Sequence, residues 1–454
     1  MSKCQKKILK LATLAILPFV GLTACSSKKE SAKSDKNQNQ IEVWLTPQWK
    51  GTYSGTEEGA DYDSFFKTAA SMYEKEHPGK KISVQVIPGE ERDSKLSVAT
   101  QTKTLPDVFF ESTFAISNYA HQGLLAPLDN IIDSKSKSDI SSSVWENVSI
   151  NKKTYFYPFA QNPGMLVYNA EMFEKAGLQK YIADKEKIAD WTVDDFKTIL
   201  TGLKASNENV SPLGFYAKNN QADTWTMMYL RMFGSSFFGK DGKLTVNDKK
   251  GVEALDFIKE LNDKKMITSG AESLTSNDVN AMFQNQQVAI SFTNSVVYKG
   301  MQDSMNNGTL TKFDARLANV PNVEDPKSFT YVLGSAVFNT NGDKRMKLAK
   351  DFVKYYSENE ELIKASMNFM PVRKSLVDKE KANNPLLETY INNDKHVINF
   401  SNNTPGYVEI RNALFPEIQA ALTGEKSSKD ALDAFVKNGN KAIEEGQKHS
   451  KALK

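Results

Sequence analysis

Between Ile41 and Gly123 the apolar residues change period again and again, and that alternation restricts the fold more than any other feature of the chain. Ile41 to Leu45 reads as a strand, and Phe66, Ala69, Ala70 and Tyr73 then fall on one face of a helix stopped by His77-Pro78-Gly79. Ile82, Val84 and Val86 alternate as a second strand, and Asp93 to Thr102 reads as a helix. The run LPDVFFE, Leu105 to Glu111, supplies a third strand ending on a carboxylate, and Ser112 to Gln122 a further helix with Gly123 just past its end. Strands that alternate with helices predict an α/β fold, with a mainly parallel sheet covered on both faces.

The rhythm continues. Met165 to Tyr168 is a strand, Met172, Phe173 and Ala176 share a helix face ended by Gly177, and Thr192-Val193-Asp194-Asp195 is a capping pattern ahead of Phe196, Ile199, Leu200 and Leu203. QVAISFTN and FTYVLGSAVFN read as strands, whereas the chain from Arg345 onward is helical apart from loops at Met370-Pro371 and NNTPGY.

The first residues stand outside this pattern. Lys3, Lys6, Lys7 and Lys10 precede and overlap an apolar stretch from Ile8 to Leu22 that is short for a lasting membrane span, so residues 1–24 are expected to be an export signal. The polar run from Ser26 to Gln40 lacks the apolar content that would offset its ordering entropy, so residues 25–40 are expected to form a disordered tether. The remaining body is longer than one hydrophobic core usually supports, which predicts two lobes.

Charge and cysteine use exclude whole classes of function. The formal charge is +3, and cleavage at residue 24 would remove four lysines and no acid, leaving −1. That balance points to neither nucleic acid nor an anionic membrane surface. Cys4 would leave with the signal and Cys25 lies in the tether, so the folded part has no thiol nucleophile or ligand. His77, His121, His396 and His449 have no metal-ligand spacing, and no nucleophile elbow, Walker loop or dinucleotide fingerprint is present. No metal and no cofactor are expected.

A set of local segments then narrows the reading. Leu22-Thr23-Ala24-Cys25 resembles the lipobox of bacterial lipoproteins. Pro106-Asp107 with the run to YAHQGLLAPL, YPFAQNPGMLVYNAEMFEKAG, WTVDDF, MFQNQQVAI, LAKDFVKYY, MPVRKS and FPEIQAALTGEKSSKDAL follow in order. Together they resemble the extracellular solute-binding proteins of carbohydrate ABC transporters, in the group containing the maltose-binding proteins. The resemblance implies a two-lobed, periplasmic-binding-protein-like α/β fold with a hinge and a central ligand cleft. It implies lobe 1 over 41–158 plus about 312–345, and lobe 2 over about 159–311 plus 346–454. It also implies lipidation at Cys25, anchorage on the outer face of the bacterial cytoplasmic membrane through that lipid alone, a monomer, and ABC permease subunits as partners.

In open α/β sheets ligands bind beyond the carboxyl ends of strands, and sugars require aromatic faces and planar polar groups. Glu111 closes the third strand there, where its charge is expected to stay hydrated until a ligand arrives; a charge at a helix start is the plainer reading. Asn162 sits beside Pro163 in a loop before the Met165 strand, at a position where the resemblance implies a ligand contact. Trp49 and Tyr53 lie in the loop after the first strand, where packing is the competing role. Trp225 stands among core-like methionines, and Asn294 ends QVAISFTN as either a cleft amide or a turn cap. Tyr407 and Arg411 fall where the resemblance places a stacking residue, with Arg373 a weaker candidate. Glu111, Val296 and Arg411 replace stacking faces of the maltose binders, so a small or charged sugar is expected, with Arg411 available to a carboxylate. The alternatives are a secreted glycoside hydrolase, which needs a carboxylate opposite Glu111, and the same fold binding a polyamine.

Overall fold

The computed structural model describes residues 38–218 and 222–452. The expected signal over 1–24, Cys25 and the tether as far as residue 37 lie outside the described residues. Among the described residues no helix is long and apolar enough to cross a membrane.

The elements that position the site are, in chain order, β1 (Gln40–Leu45), α1 (Ser64–Glu76), β2 (Lys81–Val86), α2 (Arg92–Thr102), β3 (Val108–Ser112), α3 (Thr113–His121), β4 (Tyr157–Asn169), α4 (Val193–Ser206) and β5 (Ser211–Leu213). They continue with α5 (Asp223–Tyr229), β6 (Val288–Asn294), α6 (Ser295–Asn306), β7 (Ala315–Ala318), β8 (Ser328–Val337), α7 (Asp343–Glu358), α8 (Tyr407–Leu422) and α9 (Ser428–Ala452).

The sheet is mixed rather than mainly parallel. β1 pairs in parallel with β2 and β3, as the alternating pattern demands. The long strands β4 and β8 depart from it: β8 runs antiparallel to β3 and to β4, and β4 runs antiparallel to β6 and β7. Strand direction depends on how the crossovers route the chain, and local periodicity does not contain it.

Two core regions flank this spine. In the first, α1 lays Phe65, Phe66, Ala69, Ala70 and Tyr73 on Ile41, Val43 and Leu45 of β1, joined by Leu348, Ala349, Phe352, Val353 and Tyr356 of α7. Each fully buried phenylalanine contributes roughly 1.5–3 kcal/mol by leaving water. In the second, β4, β5 and β6 pack beneath α4, α5, α8 and α9, with Phe196, Leu200, Trp225, Phe292 and Phe435 at its centre. The capping pattern at Thr192 is a complete capping box, with Thr192 and Asp195 each satisfying the other's backbone N–H.

Phe313, Ala315, Leu317, Ala318 and Val320 join hydrophobic groups of the second half of the chain, whereas Leu348 to Ala365 complete the first core. Asp107 fixes the start of α7 to the strands of that core. It is wholly buried and receives Arg345 at both carboxylate oxygens, the Glu42 N–H at 2.8 Å and the Asn341 amide at 3.1 Å, which ties the start of α7 to β1 and β3.

The chain passes between the core regions on β4 and β8, paired from Phe329↔Gly164 to Ser335↔Tyr157 with a register shift between Leu333 and Gly334. The pairing requires glycine twice. A Cβ at Gly334 would lie 2.0 Å from the Tyr157 carbonyl oxygen, and one at Gly164 2.2 Å from the Phe329 ring.

Candidate functional site

Beside this strand pair lies a cavity of about 270 Å³ whose lining includes Gln48, Glu111, Phe114, Asn162, Asp223, Trp225, Asn294, Tyr331, Phe369, Tyr407 and Arg411. Glu111, Asn162, Trp225, Asn294, Tyr407 and Arg411 are thus brought together from positions three hundred residues apart at the extremes. Trp49 and Tyr53 are not among them.

Glu111 arrives by the route its strand dictates, at the carboxyl end of β3. Its side chain is largely buried, 7% exposed. Thr46 donates to Oε2, while the Ser112 N–H at 2.7 Å and hydroxyl at 2.9 Å donate to Oε1. Arg92 approaches Oε2 at 3.7 Å. The plainer role, an anion at the N-terminal end of α3, is therefore occupied, and the carboxylate meets the cavity already bonded. Asp93 bonds the same guanidinium at 2.8 Å, and its hydrogen bond together with the Glu111 charge holds the Arg92 pKa above its ordinary value against the opposing effect of burial.

Asn162 does not sit in a loop. It is a strand residue of β4 opposite Tyr331, and its Oδ1 accepts from the Ser295 hydroxyl at 2.9 Å and the Val296 N–H at 3.4 Å. Asn294 caps α6 through the Val297 N–H at 3.0 Å, the turn-cap alternative, and still lines the cavity. Both amides are thereby fixed at the start of one helix. Val296 is 37% exposed.

A second acid, Asp223, escaped the sequence reading. It opens α5, is 3% exposed, accepts from the Tyr407 hydroxyl and lies 2.9 Å from Arg411 Nε. The N–H of Nε is not aligned on a partner, so this contact counts as charge attraction rather than a hydrogen bond. Burial raises the Tyr407 phenol well above its usual pKa, and the Asp223 charge pushes the same way, so the hydroxyl stays a donor. Arg411 is thereby already paired with a carboxylate of the chain itself. The available signal was Asp223 in the first turn before Trp225, but nothing local marks an acid as the partner of an arginine so far along the chain.

Aromatic groups fill the remaining wall. Trp225 is 4% exposed, donates its indole N–H to the Met165 carbonyl at 3.1 Å and packs on Phe292 and Phe329, so it reaches the cavity from the core. Phe114, at the start of α3, packs edge-on to Tyr331 with centroids 5.7 Å apart. The Arg411 guanidinium lies over its ring at 5.2 Å and that of Arg92 at 5.8 Å.

Trp49, Tyr53 and Arg373 lie outside this lining. Trp49 sits among Phe65, Phe110, Phe159 and Phe369 in the first core, with its indole N–H buried and unpartnered. Tyr53 packs on the same core, and its backbone carbonyl accepts from Asn368 at 2.9 Å. Arg373 is 8% exposed and donates to the Ser357 carbonyl at 2.9 and 3.1 Å, closing the end of α7 from inside. Loop aromatics find neighbours in a core as readily as at a site, and sequence alone does not separate the two. Among the described residues no cluster of His, Cys, Asp and Glu could hold a metal ion.

The arrangement combines amides, hydroxyls and ring edges with acids already matched by arginines. It is equipped to hold a polar guest.

Known proteins share this architecture. An arabinooligosaccharide-binding protein of Bacillus subtilis is 24% identical over 306 residues, 66% of this chain and 63% of that protein. A maltodextrin-binding protein of the same organism is 25% identical over 249 residues, 52% of this chain and 51% of that protein. The chain thus spans about half the length of several of the curated relatives it matches. The crystal structure of the cyclic alpha-maltosyl-1,6-maltose binding protein of Arthrobacter globiformis superposes with a TM-score of 0.69 at 21% identity, covering 89% of this chain and 99% of that one. The two-lobed fold expected from sequence is the fold of such neighbours. The sequence pattern of the bacterial extracellular solute-binding proteins matches residues 53–362, and this protein belongs to that family.

Proposed function

We propose that the protein captures a sugar or short oligosaccharide in the cleft beside β4 and β8 and passes it unaltered to an ABC permease. The observation that carries this reading is the cavity lining: Gln48, Asn162 and Asn294 offer planar amides, Phe114 and Tyr331 offer ring edges, and the acids Glu111 and Asp223 stand paired with Arg92 and Arg411. Such a surface recognises hydroxyls by hydrogen bonds and the apolar side of a sugar ring by contact. Arabinooligosaccharide and maltodextrin binding among the relatives favours the same class. Compensated charges argue against both a uronate and a polyamine, each of which would have to displace an internal partner.

In this reading the lobes close on the ligand by bending β4 and β8, the first lobe gaining α7 and the second gaining β7 relative to the boundaries expected from sequence. Lipidation at Cys25, anchorage on the outer face of the membrane and action as a monomer complete it.

Calorimetric titration of the purified protein with neutral saccharides, uronic acids and spermidine tests the proposal. Binding of a neutral saccharide without new reducing ends is expected. Spermidine binding alone would replace the sugar by a polyamine, and released reducing sugar would make the protein a hydrolase.

A further inference from the structure

A second cavity, of about 750 Å³, lies on the other side of Phe114 and Tyr407, which line both spaces. Its wall carries Ser97, Thr100, Gln101 and Gln122, the charged Asp93, Lys103 and Glu409, and Asn118, whose Oδ1 is buried without a hydrogen-bond partner. An orphaned acceptor among hydroxyls and amides suits a hydroxyl-rich guest. The larger space falls within the range of about 300–1,000 Å³ usual for small-molecule pockets, and the smaller one just below it.

The partition between them is held firmly. Tyr407 is fixed by its bond to Asp223 and packs on Phe114 with centroids 6.2 Å apart. Phe114 also lies against Tyr331 and is overlaid by the guanidiniums of Arg411 and Arg92, each bound to its own acid. Although Phe114 belongs to α3, it packs against the second core, so it bridges the two halves of the molecule at the wall of the cleft.

We propose that Phe114 sets the length of the ligand. Seated between the cavities, its ring confines the guest to the smaller one, with room for about one or two sugar rings, and its removal joins the two into a groove for a longer chain. The inference rests on the saccharide reading above.

The test is calorimetric titration of wild type, Phe114→Ala and Phe114→Leu with arabino-oligosaccharides and malto-oligosaccharides of increasing length. Wild-type affinity should stop rising beyond the disaccharide. In Phe114→Ala it should rise at least tenfold from disaccharide to tetrasaccharide, with Phe114→Leu between. Phe114→Leu keeps an apolar side chain at the partition and decides the matter if the alanine variant does not fold. Wild-type affinity that climbs steadily beyond the disaccharide, or variants that keep the wild-type profile, would overturn the inference and leave the sugar reading standing. Binding of no saccharide by any of the three proteins would remove both.

Discussion

Neutralising Asp223 is the sharpest test of how the cleft is built. Asp223 and Arg411 have side chains 4% and 10% exposed and lie 2.9 Å apart. At an effective dielectric near 20 that separation corresponds to roughly 6 kcal/mol of gross attraction, much of it offset by the cost of taking both charges out of water. Removing one partner forfeits the attraction and leaves the desolvation cost in place, a loss of about 3–5 kcal/mol. The unaligned Nε places the expectation for Asp223→Ala at the lower end, about 3 kcal/mol. Arg411→Met should cost a similar amount, since it strands the carboxylate, which keeps the Tyr407 bond. The double variant should cost little more than either single one, giving a coupling energy of about 2–3 kcal/mol. Urea denaturation of the four proteins in parallel measures this, with equal slopes verifying that one transition is compared. A coupling below about 0.5 kcal/mol would show that the two groups do not act as a pair, and the charge-compensated cleft would lose its basis.

Three further outcomes follow from other contacts. Asp107→Ala strands buried Arg345 and frees the Glu42 N–H, so it should lower stability by about 3–5 kcal/mol and cut thermal stability far more than any surface change; a drop under about 1 kcal/mol would mean the pair is solvated. Burial lowers the His121 pKa from its ordinary 6.5, while its Nε2–H donates to the Asn403 carbonyl at 2.6 Å. The folded state then resists protonation that the unfolded chain accepts, so stability is full above that ordinary value and declines as pH falls toward the depressed one. Thermal unfolding of wild type and His121→Gln from about pH 8 to pH 5 should converge in acid, and parallel curves would refute this. Gly334→Ala would drive its methyl into the Tyr157 carbonyl at the register shift, costing about 1–3 kcal/mol; calorimetry should show an altered ligand affinity as well, and unchanged values for both would mean the strand pair does not carry closure.

What the sequence made legible is whatever depends on neighbours within a turn or a strand. The apolar stripe of α1, the capping box at Thr192, the αL glycines at 123 and 177 and the strands at Val108 and Val288 all follow from local periodicity and backbone preference. Glu111 was placed correctly at its strand end, yet its bonds to Thr46 and Arg92 come from elements its own strand does not specify. Asn162 reads as a loop residue because Asn-Pro usually breaks a strand, whereas here β8 pairs with Asn162 and Pro163 and β6 takes up the other edge from Gly164 onward. Trp49 reads as either a ligand platform or a packing residue, because nothing in its loop reveals Phe369, which packs edge-on against it from far along the chain. Asp223 went unnoticed for the same reason: its meaning comes from Arg411.

The first core draws Ile41 and Phe65 from one end of the chain and Tyr356 and Ala365 from far beyond the crossover strands. A growing polypeptide therefore has no way to finish that core until Ala365 has been synthesised. Contacts so distant in sequence make for slow folding, since loop-closure entropy must be met before the reward of burial.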